Sequence, residues 1–428
     1  MKNKFIQNSF IYVAGTIAAG FLGYIFQFVI SRKLSVAQYG EFQSLMAASA
    51  IFGIVSSAIS YFVIKYSSVF AKNNDYASNN SFLKLTNAKM RKLAILLVVG
   101  FLLLSPILKN YLRLDDYYGL ILVALTLYVG LITTGYTATL SGWQMFAISS
   151  GIGIFFGILK LLAGIIGTQL SPTSTSILFF LLIFSGISAF VSYWVVRQKF
   201  YNKTTVETGY IPSLQWKQKY FATLDVGKSI LPITLFALAV ALLQNIDLLI
   251  VKNLTTAEIA GQYAALNVLG KIIFWINGAI IAVVLPTACA TGIDGNRPSR
   301  KLAFSAYGLI GFVSLCGIAA YFIAPNFIVS LLFGAKYLIF AKELWLFGVM
   351  AFALSILMLE ANFAYARHDF RVNYIIGSVV LMMIIGIYGW HATIQIVVLD
   401  IIVAMLLGFI GMIILNNCQT KNIAKTVV

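Results

Sequence analysis

The amino-acid sequence predicts an all-α polytopic membrane protein, with about twelve transmembrane helices in two six-helix bundles. Three observations predict it: the composition, apolar runs of spanning length, and the side on which the basic residues fall. The 428 residues are 60% hydrophobic and 10% charged. Soluble domains carry about 25% charged residues. A water-soluble fold of this size cannot hide so much apolar surface, so lipid is the natural solvent for the excess.

A spanning helix needs about 20 mostly apolar residues. Twelve segments qualify: 8–31, 42–64, 93–110, 117–138, 145–168, 176–196, 229–251, 262–286, 302–324, 340–363, 372–390 and 393–415. The first follows Lys2 and Lys4 without a small-residue cleavage site, so it reads as a retained helix and not a signal peptide. Residues 326–335, after Pro325, form a shorter apolar stretch of interfacial character.

Charge placement tests this count. With the N-terminus inside, 21 Lys and Arg residues fall in inner segments and six in outer ones. That bias obeys the positive-inside rule and predicts a multi-pass membrane protein with both termini cytoplasmic. The net charge of +17 reads as topology signal and attraction to membrane lipids, not as a nucleic-acid footprint. The longest hydrophilic loops are expected at 66–92 and 197–228, both inside. The expected domains are a bundle over 1–196, a cytoplasmic linker over 197–228, a bundle over 229–415 and a cytoplasmic tail over 416–428.

The halves look related. Lys33–Phe42 and Asn253–Tyr263 share Leu, Ala, Gly and an aromatic, about 220 residues apart. Ser105-Pro106 and Ala324-Pro325 recur at a separation of 219. Six helices per unit is an even number, so two such units enter the membrane from the same side. This is a transporter plan, with the substrate expected between the halves.

In their order, Leu34…Tyr39-Gly40-Glu41-Phe42, then Asp247-Leu248-Leu249-Ile250 with Gly261-Gln262-Tyr263 and Pro286, then Leu332-Phe333-Gly334 with Tyr337, resemble one family. It is the polysaccharide transporter family, which includes the Wzx-type O-antigen flippases, of the MOP (multidrug/oligosaccharidyl-lipid/polysaccharide) exporter superfamily. The resemblance implies a MATE/MOP-like fold and a location in a bacterial plasma (inner) membrane. It also implies a flippase for a polyprenyl-pyrophosphate-linked oligosaccharide in lipopolysaccharide or other surface-polysaccharide biosynthesis. Other glycan-assembly membrane proteins would be its partners. Twelve helices, where lipid II flippases of the superfamily have fourteen, disfavour a lipid II substrate.

Ionisable groups within the membrane are the candidate functional residues. Each costs roughly 2.5–3.5 kcal/mol at mid-bilayer on insertion scales, so it faces a cavity or a partner. Lys160 in the fifth span and Lys271 in the eighth are candidate contacts for a pyrophosphate, because ammonium groups act as point charges for phosphate. The alternative is that each pairs with a carboxylate, Lys271 with Asp247. Asp247 and Asn245 lie late in the seventh span, and Gln27, 220 residues before Asp247, is its counterpart. All three are expected to contact substrate, and Asp247 also to gate or bind a coupling cation. Glu360 and Asn362, close to Arg367, His368 and Arg371, are read either as part of a local inner gate or salt bridge or as a substrate contact. Asp400 serves coupling to H+ or Na+, or a structural pair. Tyr136, Trp143 and Trp275 are candidates for stacking on sugars, and Gly151, Gly153 and Gly157 for close helix packing.

Cys289, Cys316 and Cys418 match no metal or redox spacing, and His368 and His391 are far apart. Neither a P-loop nor HExxH occurs, and short outer loops leave no room for a catalytic domain. A transporter without a cofactor or metal is expected, not an enzyme. The runner-up is a cation-coupled drug or metabolite antiporter of the same superfamily. A glycan polymerase or ligase ranks below it.

Overall fold

The computed structural model describes residues 2–201, 226–291, 300–367 and 369–426, and side chains in 14–201, 231–281, 303–365, 367 and 369–416. Among these residues the regular structure is helical throughout, and twelve helices are long and apolar enough to cross a membrane. The chain divides into two compact units, Met1–Ala237 and Leu238–Val428. Most of the expected 197–228 linker lies outside the described residues.

Unit 1 begins with α1 (Lys2–Lys33) and α2 (Val36–Phe52). Ser35 separates them in an extended conformation, and its Oγ accepts the Gln38 amide at 3.2 Å. That is an N-cap, satisfying one of the free amides of a helix start. The second crossing is not the continuous helix expected over 42–64. It breaks at Gly53 and resumes as α3 (Ile54–Lys72). A Cβ at Gly53 would sit 2.8 Å from the Ser49 carbonyl oxygen, so the tight joint needs glycine. Hydropathy averages across such a joint and misses it.

The loop expected over 66–92 is also corrected. α3 runs to Lys72, and α4 (Tyr76–Leu112) starts after a turn of three residues. Asp75 caps α4 by accepting the Ser78 amide at 2.8 Å. The polar start of α4 is amphipathic. Asn79, Asn80, Phe82, Leu83 and Met90 are buried, while Lys84, Lys89, Arg91 and Lys92 are exposed. Mean hydropathy reports such a segment as polar, whereas its period marks a helix. Pro106 stays inside α4, so it is not the structural equal of Pro325, which starts a new helix. α5 (Tyr118–Gly142), α6 (Phe146–Leu170) and α7 (Ser174–Val196) follow, and a single π turn, Arg197–Tyr201, ends α7.

α8 (Val226–Leu254) carries the chain into unit 2. Then come α9 (Ala257–Thr291), α10 (Arg300–Ile323), the short α11 (Pro325–Leu332) expected as interfacial, α12 (Leu344–Ala366), α13 (Val372–Gly389) and α14 (Ile394–Thr426).

The two units repeat one packing plan. In unit 1, α5 packs on α3, α4 and α7, which are crossings two, three and six. In unit 2, α12 packs on α9, α10 and α14, the second, third and sixth crossings of that unit. α6–α7 and α13–α14 also correspond. One interface differs. α1 packs along α6 in unit 1, where Gly164 lies against Phe26 and Ile30 and Gly157 against Leu22. Among the described residues α8 and α13 make no comparable interface. The close packing expected at glycine holds at Gly157, while Gly151 faces open space.

Candidate functional site

Asp247, on α8, is 3% exposed. Its Oδ2 accepts hydrogen bonds from the Tyr263 hydroxyl at 2.7 Å and the Asn267 amide at 2.6 Å. Both donors come from α9. They are four residues apart, so they share one helix face. The Tyr263 ring is fixed edge-on against Phe347 of α12, with centroids 5.2 Å apart. Asp247 Oδ1 is buried and has no hydrogen-bond partner among the described residues.

Lys271 lies four residues beyond Asn267 on the same face. Its Nζ donates to the Gln244 carbonyl of α8 at 2.6 Å, so the expected alternative of an Asp247–Lys271 bond is not realised. Both side chains line a cavity of about 10 Å³, together with Gln244, Asn267, Phe274 and Met350. That volume holds about one water-sized species.

Unit 1 carries the neutral version of this arrangement. Gln27 of α1 accepts from the Tyr39 hydroxyl at 3.3 Å and the Gln43 amide at 2.7 Å, both on α2. Tyr39 and Gln43 are again four residues apart. The expected Gln27–Asp247 equivalence thus extends to the donors, a tyrosine and a carboxamide in each unit. The helix caps Ser35 and Thr256, which accept the Gln38 and Ile259 amides, are 221 residues apart. The tyrosines are 224 apart, so the unit 2 pair sits nearly one turn further into its helix. At the same offset of 224, Gln38 corresponds to Gln262. Gln38 accepts the Ser174 amide at 2.7 Å and Gln262 donates to the Lys336 carbonyl at 2.6 Å, each tying its helix to a later element.

Lys160 meets no carboxylate on its own helix or its neighbours α1 and α7. Its Nζ lies 4.8 Å from the Phe26 ring centroid, a cation–π contact within α1–α6. Asn245 donates to Ala241 of its own helix at 2.9 Å and does not join Asp247. Two residues along a helix is about 200° around it, which puts the two side chains on nearly opposite faces.

Glu360 and Arg367 form no direct salt bridge. Asn416 of α14 stands between them: it donates to Glu360 and accepts from Arg367, while Tyr307 of α10 donates to the other Glu360 oxygen. Three helices meet on this one carboxylate. Arg371 pairs instead with Asp369 at 3.0 Å, and His368 lies outside the described residues. Asp400 packs against Gly386 of α13, and its Oδ2 is buried without a hydrogen-bond partner among the described residues, so the alternative of a structural pair finds no partner there. Trp143 is half-buried in unit 1. Its ring packs on Tyr76 and Phe200 and its Nε1 donates to Asn79 at 3.0 Å. No group of three or more metal-ligating side chains occurs among the described residues.

Sequence reasoning missed Tyr263, Asn267, Tyr39, Gln43, Tyr307 and Asn416. The signal for the first four was present as Tyr-x3-Gln and Tyr-x3-Asn at the start of the second crossing of each half. Nothing comparable marks Tyr307 or Asn416.

No protein-family model and no curated protein matches the chain. Solved structures do. An inward-facing multidrug resistance MATE family transporter of the MOP superfamily is similar over 96% of both chains, with TM-score 0.74 and 10% identity. The lipid II flippase MurJ, in an inward closed conformation, is similar over 95% of this chain and 87% of its own, with TM-score 0.70 and 14% identity. A MOP superfamily transporter from Pyrococcus furiosus, described as having a binding pocket of reversed polarity, covers 97% and 95% with TM-score 0.63 and 13% identity. The fold is therefore the MATE/MOP transporter fold. The Wzx-type resemblance has no match among these structures.

Proposed function

We propose that the chain is a flippase for a polyprenyl-diphosphate-linked oligosaccharide, carrying it from the inner to the outer leaflet. Solved structures with this fold include both a lipid II flippase and MATE transporters, so a lipid-linked substrate lies within what the fold accommodates. The observation that carries the reading is the state of the two intramembrane lysines. Lys271 sits beside a carboxylate yet bonds a backbone carbonyl, and Lys160 rests on an aromatic ring with no carboxylate on the packed helices. Each keeps donors for an incoming anion, since an ammonium has three. A diphosphate has the charge and oxygens to take them. Alternating access is the proposed cycle, as inward- and outward-facing forms are both known for MATE transporters of this fold. An inside-negative potential assists, by about 2.3 kcal/mol per charge per 100 mV.

The test is Lys160→Ala with Lys271→Ala, scored for surface glycan at matched membrane expression. Loss of display is expected. Normal display removes the diphosphate role of both lysines.

A second reading, a cation-coupled antiporter, is favoured by Asp247 Oδ1, which has no hydrogen-bond partner among the described residues and lies beside a cavity the size of one water. H+ or Na+ coupling through Asp247 and Asp400 fits either substrate. Neutralising both and collapsing all ion gradients in sealed vesicles abolishes transport if coupling is obligatory; undiminished transport rejects coupling.

A further inference from the structure

One end of unit 1 carries a concentration of cations that transport through Lys160 and Lys271 leaves unused. Lys84 and Arg91 on α4 are seven residues apart, two helical turns, so they project from one exposed face. Lys89 and Lys92 are exposed beside them, and Arg197 and Lys199 are exposed at the end of α7.

The surface between these elements has a built floor. The π turn Arg197–Tyr201 sends Phe200 into the interior, where it packs on Trp143 and Tyr76 and its carbonyl accepts the Asn80 amide at 3.0 Å. Tyr201 is thereby delivered to Lys84, whose Nζ lies 5.6 Å from its ring centroid. Across the floor, Tyr136 of α5 packs on Tyr193 of α7 with centroids 5.7 Å apart. Arg91 and Tyr201 are both within electrostatic range of Tyr136. Three phenols from three elements therefore lie among the cations.

Nothing in these helices neutralises the charge, because residues 76–112, 118–142 and 174–201 contain no Asp or Glu. Directly along α4 the surface turns apolar, with Leu85, Ile95, Leu96 and Val99 exposed, and α7 exposes Phe190 and Trp194. Cations and tyrosines at the rim of an exposed apolar wall match an anionic lipid: phosphate at the rim, acyl chains on the wall.

We infer that this surface patch, formed by Lys84, Arg91, Tyr136, Tyr193 and Tyr201, binds the headgroup phosphate of an anionic glycerophospholipid from the adjoining leaflet. The test uses the full chain in phosphatidylcholine nanodiscs, titrated with phosphatidylglycerol bearing a fluorescent acyl chain and read by energy transfer from tryptophan. Lys84→Ala with Arg91→Ala should weaken binding about 25-fold, at about fivefold per basic residue near a membrane surface. Lys33→Gln with Lys109→Gln removes the same charge at the other ends of α1 and α4 and should change nothing. Equal loss in both pairs, or no loss in the first, overturns the site. Lys84→Gln with Arg91→Gln repeats the test with longer side chains if the alanine pair misfolds. Displacement by millimolar inorganic phosphate as readily as by unlabelled lipid would make it a free-phosphate site. Preference for a polyprenyl diphosphate over phosphatidylglycerol would make it part of the substrate path. Either result rejects the inference.

Discussion

The Tyr263→Phe substitution separates the two polar clusters by charge. In unit 2 the hydroxyl donates to a carboxylate at 2.7 Å, and in unit 1 the equivalent hydroxyl of Tyr39 donates to a neutral amide oxygen at 3.3 Å. A hydrogen bond to a charged group contributes about 1.5–3 kcal/mol and a neutral one about 0.5–1.5. A unit of this size loses about 2–4 °C of midpoint per kcal/mol. Tyr263→Phe should therefore lower the apparent melting temperature by about 3–12 °C. The decisive comparison is a cycle. With Asp247→Asn in place the acceptor is neutral, and the penalty of Tyr263→Phe should fall by about half. The assay is thermal unfolding of purified protein followed by tryptophan fluorescence at a fixed scan rate. An equal penalty in both backgrounds would refute an anionic Asp247, and with it the cation-binding role.

Converting unit 2 to the unit 1 chemistry, Asp247→Gln with Lys271→Ala, should leave the protein more stable than either single change, because each single change strands one buried charge; matched melting curves of the three variants check this. Gly164→Val pushes atoms into Phe26 and Ile30, where even a Cβ would come within 2.9 Å, and should destabilise by about 1–3 kcal/mol, while Gly151→Ala, with no atom within 4 Å of its Cβ, should be neutral or slightly stabilising. Glu360→Ala should loosen α10, α12 and α14 together, read as faster amide exchange in all three helices; exchange confined to α12 would reject the three-helix node. Asp369 lies between spans. Burial pushes its carboxyl up, but the Arg371 hydrogen bonds and the Arg371 and Arg367 charges outweigh it and hold the group below its usual value of 3.8. Its contribution is thus present above that value and is lost as pH falls through the lower folded value. Asp369→Asn should remove that part of the acid dependence of the melting curve; an unchanged acid limb rejects it.

Crossing number was legible because spanning length is set by the bilayer and twenty apolar residues leave a clear trace. The Gly53 joint was not, because two short helices in line have the hydropathy of one. Residues 76–92 were misread for the opposite reason: their mean is polar, but Phe82, Leu83 and Met90 recur on the buried side. Of the site, Asp247, Gln27, Lys160 and Lys271 were legible as polar groups out of place in lipid. Their partners were not. Tyr263 and Asn267 are unremarkable on an apolar helix until α8 is laid against them. Asn416 joins Glu360 to Arg367 across 56 and 49 residues, a pairing no local pattern encodes.

The repeat allows an argument about which features the fold requires. α5 and α12 hold the same neighbours in both units, and a tyrosine and a carboxamide one turn apart hold the first crossing to the second in both. Those features are common, so they serve the packing. Against that background the charged residues stand apart. At the offset of 224 that aligns the tyrosines, Lys271 corresponds to Ala47, and Asp247, by the donors it accepts from, takes the place that Gln27 holds in unit 1. The carboxylate and the ammonium therefore occur in the same unit, eight residues of α9 apart from Tyr263 to Lys271, while unit 1 has neither at the matching places. Packing alone explains neither, since unit 1 builds the same joint from neutral groups. A buried charge without compensation costs several kcal/mol, so a pair is the least costly way to place ionic chemistry there. Yet the pair is held slightly open, with Lys271 on the Gln244 carbonyl and Asp247 Oδ1 without a partner among the described residues. A cluster serving only stability would close that gap; one that must exchange a cation or meet an anion has a physical reason to leave it.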